Sequence, residues 1–334
     1  MTVQPPYDAV LLVSFGGPEK PDDVMPFLEN VVRGRPVPPE RLSEVAEHYY
    51  HLGGRSPIND HCRAFKAAIE RGLAATGKSV PVFWGNRNWH PFLVDTVREM
   101  ADRGVRRALA VVTSAFGSYS GCRRYLEDIE EARQALGPDA PQIDRLRLFF
   151  NHPSFIAAWV DRIDQARRAL PLEPPHLIFT AHSIPIAMAR TGPYVDQLRE
   201  ACRLIAEGVG VSSWELVYQS RSGPPQVPWL EPDILDILRE RAKTLPRRPC
   251  ILAPVGFLSE HVEVLYDLDV EAAEVAKRHG IVLVRAKTVV DHPIFIRGLI
   301  EMIDERFGGT CERRSVGRLP PCPDVCPADC CPVR

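Results

Sequence analysis

Pro254-Val255-Gly256-Phe257-Leu258-Ser259-Glu260-His261-Val262-Glu263-Val264-Leu265-Tyr266-Asp267, running on as Leu268-Asp269-Val270-Glu271, changes pattern at its glycine. Cys250 to Ala253 ahead of it is an apolar run of the kind that forms a buried strand, and beyond Gly256 the pattern turns helical and acidic. Open α/β sheets keep their ligands at such strand ends, so a ligand is expected here. Glu263, Asp267 and Glu271 stand four residues apart. On a regular helix that row drifts slowly around the axis, and a local widening to i→i+5 turns would align it better. Exposed like charges at this spacing repel by about 0.2–0.5 kcal/mol per pair, a cost that falls if something positive passes along the row. A solvated acidic helix face is the plainer alternative; the strand end and the neighbouring His261 argue against it.

Working outward, strands and helices alternate in two runs. The first begins with the apolar Asp8 to Phe15, broken by Gly16-Gly17-Pro18 before an amphipathic helix through Met25, Phe27, Leu28 and Val31. This is no GxGxxG, so a dinucleotide site is not indicated. Strands are expected at Val80–Gly85, Ala108–Thr113 and Leu146–Phe150, with helices between them. After Asn151-His152-Pro153 the alternation resumes, with strands at Leu177–Ala181, Glu215–Gln219, Cys250–Ala253 and Ile281–Arg285 and a last helix from Phe295 to Phe307. Two such runs predict an α/β chain of two Rossmann-like, doubly wound parallel-sheet domains, divided as 1–150 and 151–310, with an extension over 311–334. A chain of 334 residues is also too long for one comfortable core.

A net charge of −2 leaves no basic excess for nucleic acid. No apolar run is long enough to span a bilayer, and the opening Met-Thr-Val-Gln-Pro-Pro-Tyr lacks the features of a signal peptide. A cytoplasmic monomer without stable membrane insertion is therefore expected.

Several loops carry polar groups that a core does not need. Arg33 to Pro39 and Gly53 to Asn59 look like lips of a cleft, with Arg33, Arg35 and Arg55 suited to carboxylates. In Thr180-Ala181-His182-Ser183-Ile184-Pro185 a histidine ends an apolar strand. Ser183 beside it lacks the G-x-S-x-G elbow of a hydrolase nucleophile. Gln219 to Pro225 and Trp229 to Asp233 form a long irregular, proline-rich segment of the kind that lines binding clefts.

Taken together, Leu11–Pro18, Gly53–Ile58, Thr180–Pro185, Gln219–Pro225 and Pro254–Asp267 resemble the ferrochelatase family, over about Tyr7 to Gly309 and with the look of its actinobacterial members. The resemblance implies insertion of Fe²⁺ into a porphyrin in a cleft between two Rossmann-like domains, without an organic cofactor. It assigns His182 and Glu263 to catalysis and to the metal, and Asp267 and Glu271 to an acidic line that conducts iron or protons. Phe15, Arg33, Ser56, Tyr119 and Tyr125 fall at or near porphyrin-contacting positions. Phe15 stands where some relatives use a metal-reaching tyrosine, and Tyr119 resembles the tyrosine that approaches the iron in actinobacterial members. The polar lip Pro38 to Glu44 favours coproporphyrin III, with its four carboxylates, over protoporphyrin IX. A cobalt chelatase or a non-catalytic haem-binding protein are the other readings.

Of nine cysteines, Cys311, Cys322, Cys326, Cys330 and Cys331 crowd the proline-rich end. Closely spaced thiols held by prolines fit a loop around a metal, and spacing alone allows zinc or iron–sulfur. Several ferrochelatases carry a [2Fe-2S] cluster on such an extension. Animal members take one ligand from mid-chain, where this sequence has Ala158. The ligands implied here are therefore Cys322, Cys326, Cys330 and Cys331, with Cys311 or Cys122 as substitutes.

Overall fold

The computed structural model describes residues 6–170, 174–224, 226–244, 248–309 and 312–332. Two compact units result. One comprises the chain up to Thr113, Arg124–Leu146 and Leu299–Arg313; the other comprises Ser114–Arg123, Arg147–Gly298 and the chain from Arg314.

In the first unit, strands β1 (Ala9–Ser14), β2 (Val82–Asn86), β3 (Arg107–Val112) and β4 (Gln142–Arg145) form a parallel sheet in the order β2-β1-β3-β4. Leu11 lies beside Phe83 on one side and Ala110 on the other, and all six residues of β1 are buried. A strand covered on both faces reads as a near-continuous apolar run, here Ala9 to Val13 ahead of the buried Ser14, which is why β1 was legible as one.

The expected strand Leu146–Phe150 is not one. Leu146 N–H still donates to Ala110 O at 2.8 Å, but the pairing with β3 belongs to Gln142–Arg145. Leu148, Phe149 and Phe150 are buried as loop residues, with Phe149 against Phe155 and Phe295 and Phe150 against Phe116. An apolar run reports burial, and here burial comes without pairing.

The second unit repeats the plan. Strands β5 (His176–His182), β6 (Trp214–Gln219), β7 (Cys250–Ala253) and β8 (Leu283–Arg285) are parallel in the order β6-β5-β7-β8. The core on one face joins Ile178, Val217, Cys250 and Leu252 of the sheet to Val264, Leu268, Ala272 and Ala276 of the acidic segment. These apolar anchors also recur every four residues. Leu265–Ala272 forms the i→i+5 helix that the acidic spacing suggested, between α-helical turns at Val262–Val264 and Ala273–Arg278. Among the described residues no helix is long and apolar enough to cross a membrane.

The central strands meet the acidic segment through bare backbone. Gly256 N–H donates to Thr180 O at 3.0 Å, and a Cβ on Gly256 would lie 2.6 Å from both Cα and Cβ of Ala181. Such a methyl group has nowhere to go unless the end of β5 moves. Gly256→Ala is expected to lower unfolding stability by about 1–3 kcal/mol, the usual cost of overpacking. Urea denaturation checks this, and an unchanged midpoint would show that β5 shifts without cost.

Candidate active site

Strands β5 and β6 end side by side, with His182 in register with Gln219. The His182 ring is held from below: Nδ1 lies 2.5 Å from Ser183 O, so the N–H sits on Nδ1 and the lone pair on Nε2. Tyr194 O–H donates to the His182 carbonyl at 3.0 Å. Nε2 then faces Glu263 Oε2 at 3.6 Å, with about a third of the imidazole and half of the carboxylate side chain exposed. The two groups are close enough to share a ligand or a proton and open enough to receive one. Phe257 lies 6.4 Å from the imidazole centroid and stacks edge-on against His261 at 5.0 Å, giving the pair an aromatic flank.

Asp267, one step along the row, has a different environment. Ser220 O–H and Gln219 Nε2 both donate to its Oδ2, the latter at 3.2 Å, and Gln219 Nε2 also lies 3.3 Å from the Glu263 carbonyl. Ser220 occupies left-handed backbone at φ 60°, a conformation that costs a non-glycine residue about 1–3 kcal/mol and that aims its hydroxyl at the acid. Burial pushes the Asp267 carboxyl up to about 7; the two hydrogen bonds oppose this, and the charges of Glu263 and Glu271 add to it. Glu271 is raised as well, by burial first and then by Asp233. Asp267 and Glu271 therefore both hold protons more tightly than ordinary carboxylates. Among the described residues no three His, Cys, Asp or Glu side chains close up as a metal-holding group, neither in the acidic row nor among Cys322, Cys326, Cys330 and Cys331.

Gln219, Ser220 and Tyr194 were given no role by sequence reasoning. The first two were marked only as the start of the cleft-lining segment Gln219 to Pro225, with no role of their own. Ser183 is buried and its hydroxyl donates to Leu230 O at 2.8 Å, which leaves it no part as a nucleophile.

The other expected contacts separate by burial. Phe15 is half-buried, edge-on to Phe27 with the Arg87 guanidinium 6.0 Å from its centroid, and Arg33 is exposed and bonds Asn30. Ser56 is packed onto the Gly17 backbone, and Tyr125 belongs to the core of the first unit, where burial pushes its phenol up to about 12. Both side chains are buried. Tyr119 opens the wide turn Tyr119–Arg123, half-buried, in the second unit.

The cysteine extension is strapped to that same unit. Arg147 Nη2 donates to Arg314 O at 3.1 Å, Val316 N to Asn151 O at 2.9 Å, Asn151 Nδ2 to Leu319 O at 2.8 Å and Arg318 N to Glu200 Oε1 at 2.5 Å. Cys322 and Cys331 are buried, Cys326 and Cys330 half-buried, and Cys311 lies outside the described residues. Cys331 adopts φ 52°, and its sulfur stands 3.6 Å from that of Cys330. Two thiolates about 2.3 Å from one tetrahedral metal stand roughly 3.8 Å apart, so this adjacent pair fits a shared metal. Gly192 makes room for it, since a Cβ there would come 2.8 Å from Cys331 Sγ. Ala158, where animal relatives have a ligand, is fully buried and has no donor atom.

The Asp267 environment makes stability depend on pH. An unfolded aspartate ionises near ~3.9, so between there and about 7 the folded chain keeps a proton that the unfolded chain has lost. This contribution is fully present below the unfolded value and is lost as pH rises through the folded one. Asp267→Asn is expected to remove that slope, so that the variant gains on wild type as the pH is raised toward 8. Urea midpoints over the range test this, and parallel curves would rule it out.

Comparison with known proteins agrees with the geometry. The family model for ferrochelatase matches residues 7–307. A ferrochelatase of Rhodopirellula baltica is 50% identical over 99% of this chain and 95% of its own length. A coproporphyrin III ferrochelatase of Mycobacteroides abscessus is 51% identical over 94% of this chain and 93% of its own, and one from Streptomyces coelicolor is 48% identical over 98% and 94%. Among solved structures, SirB from Bacillus subtilis with Fe³⁺ superposes at a TM-score of 0.60, covering 90% of this chain and 95% of its own, at 12% identity; that likeness concerns the fold alone. With the imidazole–carboxylate pair and acidic row set on a chelatase-like fold, and with matches of this extent, the chain belongs to the ferrochelatase family.

Proposed function

We propose that this chain inserts Fe²⁺ into coproporphyrin III to give the iron porphyrin, with His182 and Glu263 at the reacting centre. The observation that carries this is the 3.6 Å pair of an outward-facing Nε2 and a solvent-accessible carboxylate. Metallation takes two protons from the pyrrole nitrogens and water from the iron. An imidazole with a free lone pair can accept a proton or bind Fe²⁺, and the carboxylate can take the other share. Asp267 and Glu271 continue the negative line away from the pair and pass on iron or protons. Tyr119 is assigned to the product iron by resemblance to actinobacterial members, and Phe15 and Arg33 to the porphyrin on the same ground.

The substrate choice draws support from the names of the relatives and from the lip. Glu40, Arg41, Ser43 and Glu44 are exposed on the helix Pro39–His51, a surface better suited to a soluble four-carboxylate ring than to a lipid-borne one. Protoporphyrin IX is the alternative. We place the chain in the cytoplasm as a monomer, where a half-exposed thiol-rich tail stays reduced.

We also assign a [2Fe-2S] cluster to Cys322, Cys326, Cys330 and Cys331, supported by the paired sulfurs of Cys330 and Cys331 and by the strapped approach to Cys322. When bound, such a cluster supplies one-electron redox chemistry. The chain's part is to hold it, with two buried and two half-buried thiols.

Free-base porphyrin fluorescence, followed as Fe²⁺ is added anaerobically, tests the activity. Coproporphyrin III is expected to be metallated with the higher kcat/KM, and a preference for protoporphyrin IX would reverse the assignment. His182→Ala and Glu263→Gln should each cost roughly 10²-fold or more, while Asp267→Asn should mainly raise the iron concentration required; equal losses would refute that division of roles. Anaerobically purified protein is expected to show iron–sulfur visible absorption that Cys322→Ser abolishes, whereas colourless protein with stoichiometric zinc would overturn the cluster.

A further inference from the structure

One buried amide joins two parts of the second unit that the proposed activity leaves separate. Gln197 lies on the helix Tyr194–Val209 and is 5% exposed. Its Oε1 accepts from Gly117 N–H at 2.7 Å, and its Nε2 donates to Cys322 Sγ at 3.3 Å. The first bond fixes which way the amide points, because a backbone N–H can only donate. The second is therefore an N–H directed at sulfur.

Gly117 sits two residues before Tyr119, and the chain between them is tightly determined. Ser118 Oγ accepts from Gly121 N–H at 2.9 Å, and its carbonyl accepts from the amides of Cys122 and Arg123 at 3.0 and 3.2 Å, which starts the wide turn that carries Tyr119. A Cβ on Gly117 would meet Pro193 Cγ at 3.0 Å and Leu148 Cδ1 at 3.3 Å, so the loop lies close on the start of the helix. One turn away on that helix, Tyr194 props the His182 carbonyl.

We infer that Gln197 is a positioning residue that ties the Tyr119 loop to Cys322, so that the state of the cysteine tail is felt by the loop. Sulfur in a thiol is a weak acceptor, and a metal-bound thiolate a stronger one. Occupation of the tail therefore tightens the amide, and the amide holds the Gly117 N–H. The coupling is reciprocal: whatever fixes the loop also favours the loaded tail. The link itself goes beyond the proposed activity; only its response to metal rests on the cluster reading.

Hydrogen–deuterium exchange of the peptide spanning residues 114–123 tests it, on full-length protein purified anaerobically, with far-ultraviolet circular dichroism as the folding control. Gln197→Leu and Cys322→Ala are each expected to speed exchange about fivefold, as loss of an ordinary hydrogen bond would, and the double variant should be no faster than Gln197→Leu alone. Gln197→Glu keeps an acceptor for Gly117 and loses the donor to sulfur, so its loop should exchange as fast as that of Cys322→Ala and change no further when the two substitutions are combined. If Cys322→Ala leaves the loop unchanged, or if the two effects multiply, Gln197 merely packs the loop and the proposal falls. This arm also decides the matter if Gln197→Leu does not fold. Visible absorption of the same samples reports the cluster separately: colourless protein that still shows the coupling would end the cluster reading and leave the bridge standing.

Discussion

Three carboxylates in a row along one helix need something to hold them against their own repulsion. Here the restraint comes from the neighbouring residues. Glu263, Asp267 and Glu271 are each followed by an apolar side chain, and Val264, Leu268 and Ala272 pack into the sheet of the second unit. Burying Val264 and Leu268 contributes about 1.5–3 kcal/mol each and the methyl of Ala272 about 0.8 kcal/mol, above the few tenths that like charges cost on a helix surface. The apolar anchors thus decide where the acids stand. Because both rows step by four, the i→i+5 turns of Leu265–Ala272 serve the core and the site together.

The same economy of position governs the imidazole. The end of β5 is approached by bare glycine backbone on one side and supported by Tyr194 and the Ser183 carbonyl, so His182 has little freedom to turn its lone pair away. Asp267 is surrounded by donors and neighbouring acids and stays partly protonated near neutrality, whereas Glu263 is open to water. Carboxylates four residues apart thereby stand in different environments, one open and one buried.

Much of this was legible in the chain. Apolar runs marked β1, β5 and β7, because strands buried on both faces have little choice of composition. The acidic spacing, the glycine at the strand end and the histidine at the end of β5 marked the candidate site, where the fold brings His182 and Glu263 together. What escaped has physical reasons. Gln142–Arg145 is a short polar edge strand and carries no burial signal, while Leu146–Phe150 carries the signal without the pairing. The burial of Ser56 and Tyr125 was not legible either, because residue type alone does not say whether a hydroxyl or phenol is packed in a core. Gln197 and Ser220 act through contacts with residues 125 and 47 positions away, which no local pattern announces.

In the proposed function Asp267 is a charged step toward the His182–Glu263 pair, its ionisation set by burial and by its neighbours. The KM for Fe²⁺, measured anaerobically against pH in wild type and in Asp267→Asn, tests this most directly. Wild type should need less iron as the pH rises through about 7 and the carboxyl ionises, while the variant's requirement should stay high and change little. The same pH dependence in both proteins would contradict it.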